Sequence, residues 1–253
     1  MSRVLALLLA LTLAGCASMG SGPSIKEEPV TYRDGETTMN GYIVYDEARQ
    51  GRRPGVIVVH EWWGITKHVR DEARNLARQG YTAFVADMYG DGKTADNPKD
   101  AGALSGAVRK NPRAQQSRFN AARTTLARHS TVDANRIGAV GFCFGGGVVN
   151  AMAVRFPDLA ASVPYYGAQP AADDVAKIKA PLLIHYASED PNINKGWPGF
   201  ETALKANKVR YEMHMYPNTQ HGFHNDTTPR YDEAAAKLSW QRTVDFFNRN
   251  VRT

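Results

Sequence analysis

Runs of apolar residues alternate with longer amphipathic stretches along most of the chain. The clearest apolar run, residues 54–60, is rich in β-branched side chains, which is typical of a strand covered on both faces. Residues 69–79 instead carry their charges on one side, and Gly80 stands where a helix C-cap belongs, so we expect a helix there. Similar apolar runs predict five further strands, at residues 81–86, 137–140, 161–165, 182–187 and 210–215.

The remaining segments complete an alternating order of strands and helices. A hairpin is expected around Asp34-Gly35, between strands at 30–32 and 39–45. After a loop at 90–98, a helical zone of about thirty residues is interrupted near Asn111-Pro112. Helices are also predicted at 199–206 and 232–248. This order indicates an α/β fold in one domain, with a mostly parallel sheet of about eight strands and helices on both faces.

One predicted strand ends in a turn that can carry a nucleophile. The turn reads Gly141-Phe142-Cys143-Phe144-Gly145 and is followed by two more small residues and a predicted helix, which we expect to start near Val148. Strand, sharp turn and helix form the context of a nucleophile elbow, here with cysteine where serine is usual. The glycines allow the chains to pass a strained central residue, and the helix N-terminus favours thiolate. The alternative is a buried structural cysteine.

Composition excludes several other functional classes. The 253 residues are 43% hydrophobic and 22% charged, which suits one large domain with a substantial core. The net charge is +6, but Lys and Arg are scattered and form no basic run interleaved with aromatic residues, so no nucleic-acid partner is expected. We find no HExxH motif, phosphate loop or cysteine cluster, and therefore expect no metal and no organic cofactor.

The first residues resemble an export signal with a lipid anchor. Arg3 precedes an apolar run, residues 4–14, that is too short to span a bilayer. The following Leu13-Ala14-Gly15-Cys16 resembles the lipobox of bacterial lipoproteins, in which cleavage leaves the cysteine as an acylated N-terminus. The alternative is an ordinary secretory signal cut nearby.

The lipobox interpretation divides the chain into three parts. Residues 1–15 would be the signal peptide, 16–28 a lipidated tether of small and polar residues, and 29–253 the folded domain. The protein would then be an exported bacterial lipoprotein that faces the periplasm, and Ala17 favours the outer membrane. With Cys16 acylated, Cys143 would have no cysteine partner, which supports a reactive thiol.

Two loops supply an acid and a base in the order that an α/β-hydrolase arrangement requires, namely nucleophile, acid and histidine. Glu189 and Asp190 follow the predicted strand 182–187, and we favour Asp190 as the acid. His221 lies in a polar loop before the last helix, as a base should, with His224 as a second candidate.

Glu61 directly follows the strand 54–60 and stands beside Trp62 and Trp63. This loop is expected to face the elbow and to supply a second oxyanion N–H. A carboxylate between two tryptophans is poorly solvated, so it would hold a proton or seek a donor such as the Cys143 thiol. The alternative is a surface glutamate that caps the next helix.

These motifs together resemble the dienelactone hydrolase family, over about residues 30–249. The matching segments are His60-Glu61-Trp62-Trp63-Gly64, Gly141-Phe-Cys-Phe-Gly-Gly146, Asp190 and His221-Gly222-Phe223. The resemblance implies an α/β-hydrolase fold and a catalytic triad of Cys143, Asp190 and His221. It further implies an oxyanion hole formed by the backbone N–H groups of Trp62 and Phe144.

The resemblance also assigns a role to Glu61, and at two arginine positions this sequence differs from the family pattern. Glu61 would match a carboxylate that hydrogen-bonds the thiol and moves away when substrate arrives. The family's arginines that hold a substrate carboxylate are missing from the matching stretches, residues 87–91 and 221–226. Arg230 is nearby in the sequence but displaced, and it could hold a substrate carboxylate if its loop folds back.

The sequence therefore predicts a hydrolase that cleaves a small carboxylic ester or lactone through an acyl-thioester on Cys143. It would be attached to a membrane by its N-terminal lipid. The loss of the arginine pair leaves dienelactone itself open as a substrate. The alternative is a lipid-anchored binding or scaffold protein that retains the fold without turnover.

Overall fold

The computed structural model describes residues 22–252. The predicted signal peptide, Cys16 and the first part of the tether lie outside these residues. The described strands are β1 (Ile25–Asp34), β2 (Thr37–Asp46), β3 (Arg53–Val59), β4 (Thr82–Ala86), β5 (Val132–Phe142), β6 (Ser162–Tyr165), β7 (Leu182–Glu189) and β8 (Tyr211–Gln220). The helices are α1 (Lys67–Arg78), α2 (Pro98–Arg109), α3 (Pro112–Ala127), α4 (Phe144–Arg155), α5 (Pro191–Asn194), α6 (Trp197–Ala206) and α7 (Glu233–Asn250), with a 3-10 helix at Ala172–Lys177.

The eight strands form one sheet in the order β1-β2-β4-β3-β5-β6-β7-β8. β1 and β2 pair antiparallel, β2 runs antiparallel to β4, and all later neighbours are parallel. The predicted α/β-hydrolase fold with its mostly parallel sheet is therefore confirmed. Because the parallel strands share one direction, the loops that follow β3, β5, β7 and β8 emerge at the same edge, where α/β sheets bind ligands.

Helices cover both faces of the sheet, as the apolar pattern predicts. α1 and α7 pack on one face, whereas α3 and α4 pack on the other. The central strand β3 shows why: Val56 and Val58 join the first cluster, while Ile57 and Val59 join the second. All four side chains are fully buried, so a continuous β-branched run indeed marks a strand covered on both sides.

Several element boundaries differ from the prediction. β1 begins at Ile25 and pairs with β2 along its whole length, so residues 25–28 belong to the sheet and not to the tether. Their charged, partly exposed side chains suit an edge strand, which composition alone does not separate from a linker.

The break between α2 and α3 is confirmed: Asn111 caps α3 by accepting a hydrogen bond from the Ala114 N–H at 3.1 Å. Within residues 22–252, no helix combines the length and apolar character needed to cross a bilayer.

Candidate active site

The turn between β5 and α4 holds Cys143 in a strained backbone conformation. Its φ is 55° and its ψ is −112°, which a non-glycine residue rarely adopts. The glycines around it are required by close approaches. A Cβ on Gly141 would lie 2.2 Å from the Gly145 carbonyl oxygen, and one on Gly145 would lie 2.3 Å from the Val59 carbonyl oxygen. The elbow geometry predicted from the glycine pattern is therefore present, with α4 starting directly after Cys143.

Asp190 and His221 form a close pair at the ends of neighbouring strands. The Nδ1 atom of His221 lies 2.6 Å from Oδ2 of Asp190. The other carboxylate oxygen of Asp190 caps α5 by accepting the Ile193 N–H at 3.3 Å. Asp190 is buried, whereas the alternative acid Glu189 is exposed. With Nδ1 turned to Asp190, His221 keeps Nε2 for a partner on its other side.

The surroundings of His221 favour its protonated form. Burial opposes the positive charge, but the hydrogen bond to Asp190 and the interaction with the Cys143 sulfur outweigh it and raise the pKa of His221 to about 10. The imidazole therefore interacts with both predicted partners. The imidazole thus has a carboxylate on one side and the Cys143 sulfur as a second partner.

Glu61 is buried and accepts a hydrogen bond from the Asn225 amide at 2.5 Å. Burial raises the pKa of Glu61, although the Asn225 hydrogen bond and the positive charges of His221 and Arg230 act against that rise. Glu61 is thus not a surface helix cap; that position before α1 belongs to Thr66. Sequence analysis missed Asn225, which stands four residues after His221 in the same loop.

A network around His60 fixes the loop that carries Glu61 and Trp62. His60 Nε2 accepts the Met88 N–H at 3.2 Å, and its Nδ1 lies 2.6 Å from the Glu61 carbonyl oxygen. The Tyr89 hydroxyl donates to the Trp62 carbonyl oxygen at 2.9 Å. Burial lowers the pKa of His60, which keeps the ring neutral and lets it donate through one nitrogen and accept through the other.

The two residues predicted to supply oxyanion N–H groups lie close to Cys143 in the structure: Trp62 lines the same cavity, and Phe144 directly follows Cys143. Phe144 is the first residue of α4, and its N–H therefore belongs to the unsatisfied donors of a helix N-terminus. In the part of the chain that the structure describes, neither N–H donates to a backbone carbonyl. Both donors are thus available to a charged oxygen on a bound substrate.

A cavity of about 420 Å³ opens above Cys143. It brings together all the predicted side chains of the site, and it is lined by Glu61, Trp62, Trp63, Arg109, Cys143, Asp190, Asn192, Ile193, His221, Gly222, Thr228 and Arg230. His224, the second candidate for the base, is buried elsewhere, between α1 and α7.

Two arginines line this cavity. Arg230 reaches it because its guanidinium lies beside Gly222, which has a φ of +90°. Arg109 comes from the last turn of α2. No sequence motif marks this position, so the sequence analysis did not identify it. Its guanidinium lies over the Phe144 ring, 5.3 Å from the centroid, and donates to the Ser105 hydroxyl at 3.1 Å. The cavity is therefore lined by two guanidinium groups despite the missing family arginines, together with the carboxyl groups of Glu61 and Asp190.

Comparisons with known proteins agree with this fold. The model of the dienelactone hydrolase family matches residues 39–251. A Salmonella typhi protein, named provisionally as a carboxymethylenebutenolidase, is 33% identical over 221 residues, which cover 83% of this chain and 82% of that protein. The protein usf of Aquifex pyrophilus is 35% identical over 203 residues, or 77% of this chain and 87% of its own.

A solved structure with the same fold covers nearly the whole domain. It is a dienelactone hydrolase-like promiscuous phosphotriesterase from metagenomic libraries, with a TM-score of 0.84 and 28% sequence identity. The similarity spans 90% of this chain and 99% of that one. Sequence, fold and cavity thus agree on one kind of protein.

Proposed function

Because the chain belongs to the dienelactone hydrolase family and is a carboxylic ester or lactone hydrolase, we propose that it works through a triad of Cys143, His221 and Asp190. The observation that carries the proposal is the Asp190–His221 pair, 2.6 Å apart, in the same cavity as a cysteine held on a strained turn. A nucleophile, a base and an acid that orients the base are the parts that acyl transfer requires.

The proposed reaction proceeds in two displacements. The Cys143 thiol first passes its proton to His221. In the resulting ion pair the sulfur donates an electron pair to the carbonyl carbon, and the carbonyl π electrons move to oxygen, where the Trp62 and Phe144 N–H groups stabilise the charge. The intermediate collapses, the C–O bond to the leaving group breaks, and His221 gives that oxygen a proton. His221 then takes a proton from water, whose oxygen attacks the thioester. The carboxylic acid leaves, and the sulfur recovers its electron pair.

We assign Glu61 the control of the thiol. Its burial and its place in the same cavity as Cys143 support this role, and the Asn225 hydrogen bond gives it a second partner to which it can turn. A thiol held by Glu61 until substrate enters is less exposed to oxidation, which requires thiolate character.

We further propose that the substrate carries a negative charge. The support is that Arg109 and Arg230 both line the cavity, since guanidinium groups bind carboxylates through paired hydrogen bonds. For an ester with a free carboxylate, R109Q and R230Q should each raise KM about tenfold, while KM for a neutral ester of equal size stays unchanged. Equal effects on both esters would contradict the assignment.

The triad is tested by comparing wild-type protein with Cys143→Ala. Brief iodoacetamide treatment of the folded protein should label Cys143, as peptide mass spectrometry would show, and should abolish hydrolysis of a small chromogenic ester. The Cys143→Ala variant should lose at least about 10³-fold in kcat/KM. Resistance to labelling, together with unchanged hydrolysis by the variant, would overturn the triad.

We also propose that Cys16 is acylated and anchors the domain to the outer membrane, facing the periplasm. The support is the lipobox-like Leu13-Ala14-Gly15-Cys16 after a short apolar run. The full chain, produced in a diderm bacterium, should partition into the detergent phase, and Cys16→Ala should move it to the aqueous phase. Unchanged partitioning would refute the anchor.

A further inference from the structure

A second cluster of ionisable side chains lies outside the cavity that contains Cys143. It consists of His68, Glu72 and His224, which are 1%, 7% and 6% exposed. One possible ligand atom from each residue lies within 4.8 Å of the other two. The proposed reaction uses none of these residues.

The fold brings the three residues together from distant parts of the sequence. His68 and Glu72 are four residues apart on α1 and therefore lie on the same face of that helix. His224 follows β8, three residues after His221. The rings of His68 and His224 have centroids 5.6 Å apart, and both contact the Phe142 ring next to Cys143.

Polar atoms of the cluster are buried without hydrogen-bond partners. These atoms are Nε2 of His68, Oε2 of Glu72 and Nδ1 of His224. The Oε1 atom of Glu72 lies 3.8 Å from His224 Nδ1 and 4.0 Å from His68 Nδ1, which is too far for a hydrogen bond. Unsatisfied buried polar groups destabilise a protein, so three in one place call for a ligand.

Burial also disfavours the charged forms of all three side chains in the cluster. Burial lowers the pKa of His68 to about 4 and the pKa of His224 well below its ordinary value, so both imidazoles are neutral. Burial raises the pKa of Glu72 to about 8, although the Asn75 side chain beside it acts against that rise. Neutral imidazole is the form that binds metal ions, and a nearby dication stabilises the carboxylate that burial alone disfavours.

A separate cavity of about 210 Å³ connects the cluster to solvent. Glu72 and His224 line it, together with two further carboxylates, Asp71 and Asp226. The cavity gives an ion a path to the cluster and room for water ligands. Asp71 is paired with Lys67 and Arg74, and Lys237 also lines the cavity, so the charge available to attract a cation comes from Asp226.

We propose that His68, Glu72 and His224 bind one divalent transition-metal ion, for which Zn²⁺ is the best match. Two imidazoles and one carboxylate form a known Zn²⁺ ligand set, whereas Ca²⁺ and Mg²⁺ prefer oxygen ligands alone. With metal–ligand distances near 2.1 Å, ligand atoms lie roughly 3 to 4 Å apart. The longest separation in the cluster, up to 4.8 Å, therefore has to shorten by roughly 1 to 2 Å when the ion binds, through rotation of the side chains.

The ion would tie the loop after β8 to helix α1. This loop carries His221 and Asn225, which contact Asp190 and Glu61, so the ion would act as a positioning group for the active site. It would not touch the substrate, because His224 lines the other cavity. Zn²⁺ binding does not depend on the proposed triad and can be measured without substrate.

The test is a calorimetric titration of chelator-treated protein, without an affinity tag, with Zn²⁺ at pH 7.5. The wild-type protein should bind one ion per chain, and His68→Gln, Glu72→Gln and His224→Gln should each weaken binding at least tenfold. The matched control is His214→Gln, which removes a histidine on β8 away from the cluster and should bind like wild type. Absence of binding by wild type, or an unchanged affinity in Glu72→Gln, would overturn the proposal.

Thermal unfolding separates loss of the ligand from loss of the fold. In chelator, Glu72→Gln should melt within a few degrees of wild type, because the amide fills the same space. Added Zn²⁺ should raise the Tm of wild type and of His214→Gln but not of Glu72→Gln. An equal rise in all three proteins would place the ion elsewhere and refute the site. Neither measurement uses ester hydrolysis, so failure of the metal site and failure of the Cys143 triad remain distinguishable.

Discussion

Each carboxylate oxygen of Asp190 has its own partner, which fixes the orientation of the group. Oδ2 faces His221 and Oδ1 caps α5. The cap restrains the side chain before any substrate binds. The histidine ring is therefore held in one orientation, with Nδ1 towards the acid.

Replacement of Asp190 by Asn should separate the capping of α5 from the electrostatic interaction with His221. Asparagine caps helices as well as aspartate does, so the fold should be retained. It carries no charge, so we expect the pKa of His221 to fall and kcat to drop roughly 10³- to 10⁴-fold. NMR titration of the imidazole and steady-state kinetics would measure both. The control is Glu189→Gln, at the exposed neighbouring position; an equal loss there, or an unchanged His221 pKa in Asp190→Asn, would contradict the pairing.

The raised pKa of His221 predicts a dependence of stability on pH. The folded-state value of about 10 lies above the ordinary 6.5, so the folded protein binds this proton more tightly than the unfolded chain does. The resulting stabilisation is complete below about pH 6.5 and is lost as the pH rises through about 10. A shift of about 3.5 pH units at about 1.4 kcal/mol each means that the difference in unfolding free energy between wild type and His221→Gln should shrink by on the order of 4 kcal/mol between pH 6 and pH 10.5. Urea denaturation at both pH values would measure it; a constant difference would contradict the assigned pKa.

Sequence patterns identify residues that stand in a motif and miss those whose role depends on distant contacts. Cys143, Asp190 and His221 follow predicted strands, so their positions could be inferred. Asn225 meets Glu61 across 164 residues, and Arg109 lies at the end of an ordinary helix. No local pattern distinguishes either from a surface residue.

Among the elements, the junction of β5 and α4 is packed so closely that one added carbon atom would disturb it. The N-terminus of α4 packs against the end of β3 so closely that Gly145 has no room for a side chain. This contact holds Cys143 above the sheet and points the N-terminus of α4 at the site. The motif predicts the turn, but it places the start of the helix late, because a glycine-rich sequence has low helix propensity and tertiary contacts override it.

The close packing around Gly145 predicts that a glycine-to-alanine substitution there lowers stability, whereas the same substitution at Gly102 raises it. Gly145→Ala puts a Cβ 2.3 Å from the Val59 carbonyl oxygen and should destabilise the fold by at least about 2 kcal/mol. Gly102→Ala lies inside α2 with no atom within 4 Å of the new Cβ, and should stabilise the protein by about 0.5 to 1 kcal/mol. Chemical denaturation of both variants measures the two changes. Equal effects of either sign would show that close packing at the elbow is not the cause.

At the scale of the whole molecule, strand order explains how separate loops form one site. β7 and β8 are parallel neighbours, so the loops that follow them bring Asp190 next to His221. β3 lies beside β5, so Glu61 and Trp62 meet the turn at Cys143. The alternation of strands and helices predicts the fold class and a shared edge. It does not predict the boundary of β1, whose charged residues resemble a tether until their pairing with β2 is known.

The central claim is that Cys143 carries the acyl group during turnover. The most direct measurement mixes wild-type protein with an excess of a short-chain chromogenic ester, quenches it with acid within milliseconds, and determines the intact and peptide masses. We expect one acyl mass per chain, on the peptide that contains Cys143, removed by neutral hydroxylamine as a thioester should be. Rapid hydrolysis with no acyl mass on that peptide, or an equal acyl mass in Cys143→Ala, would contradict the account.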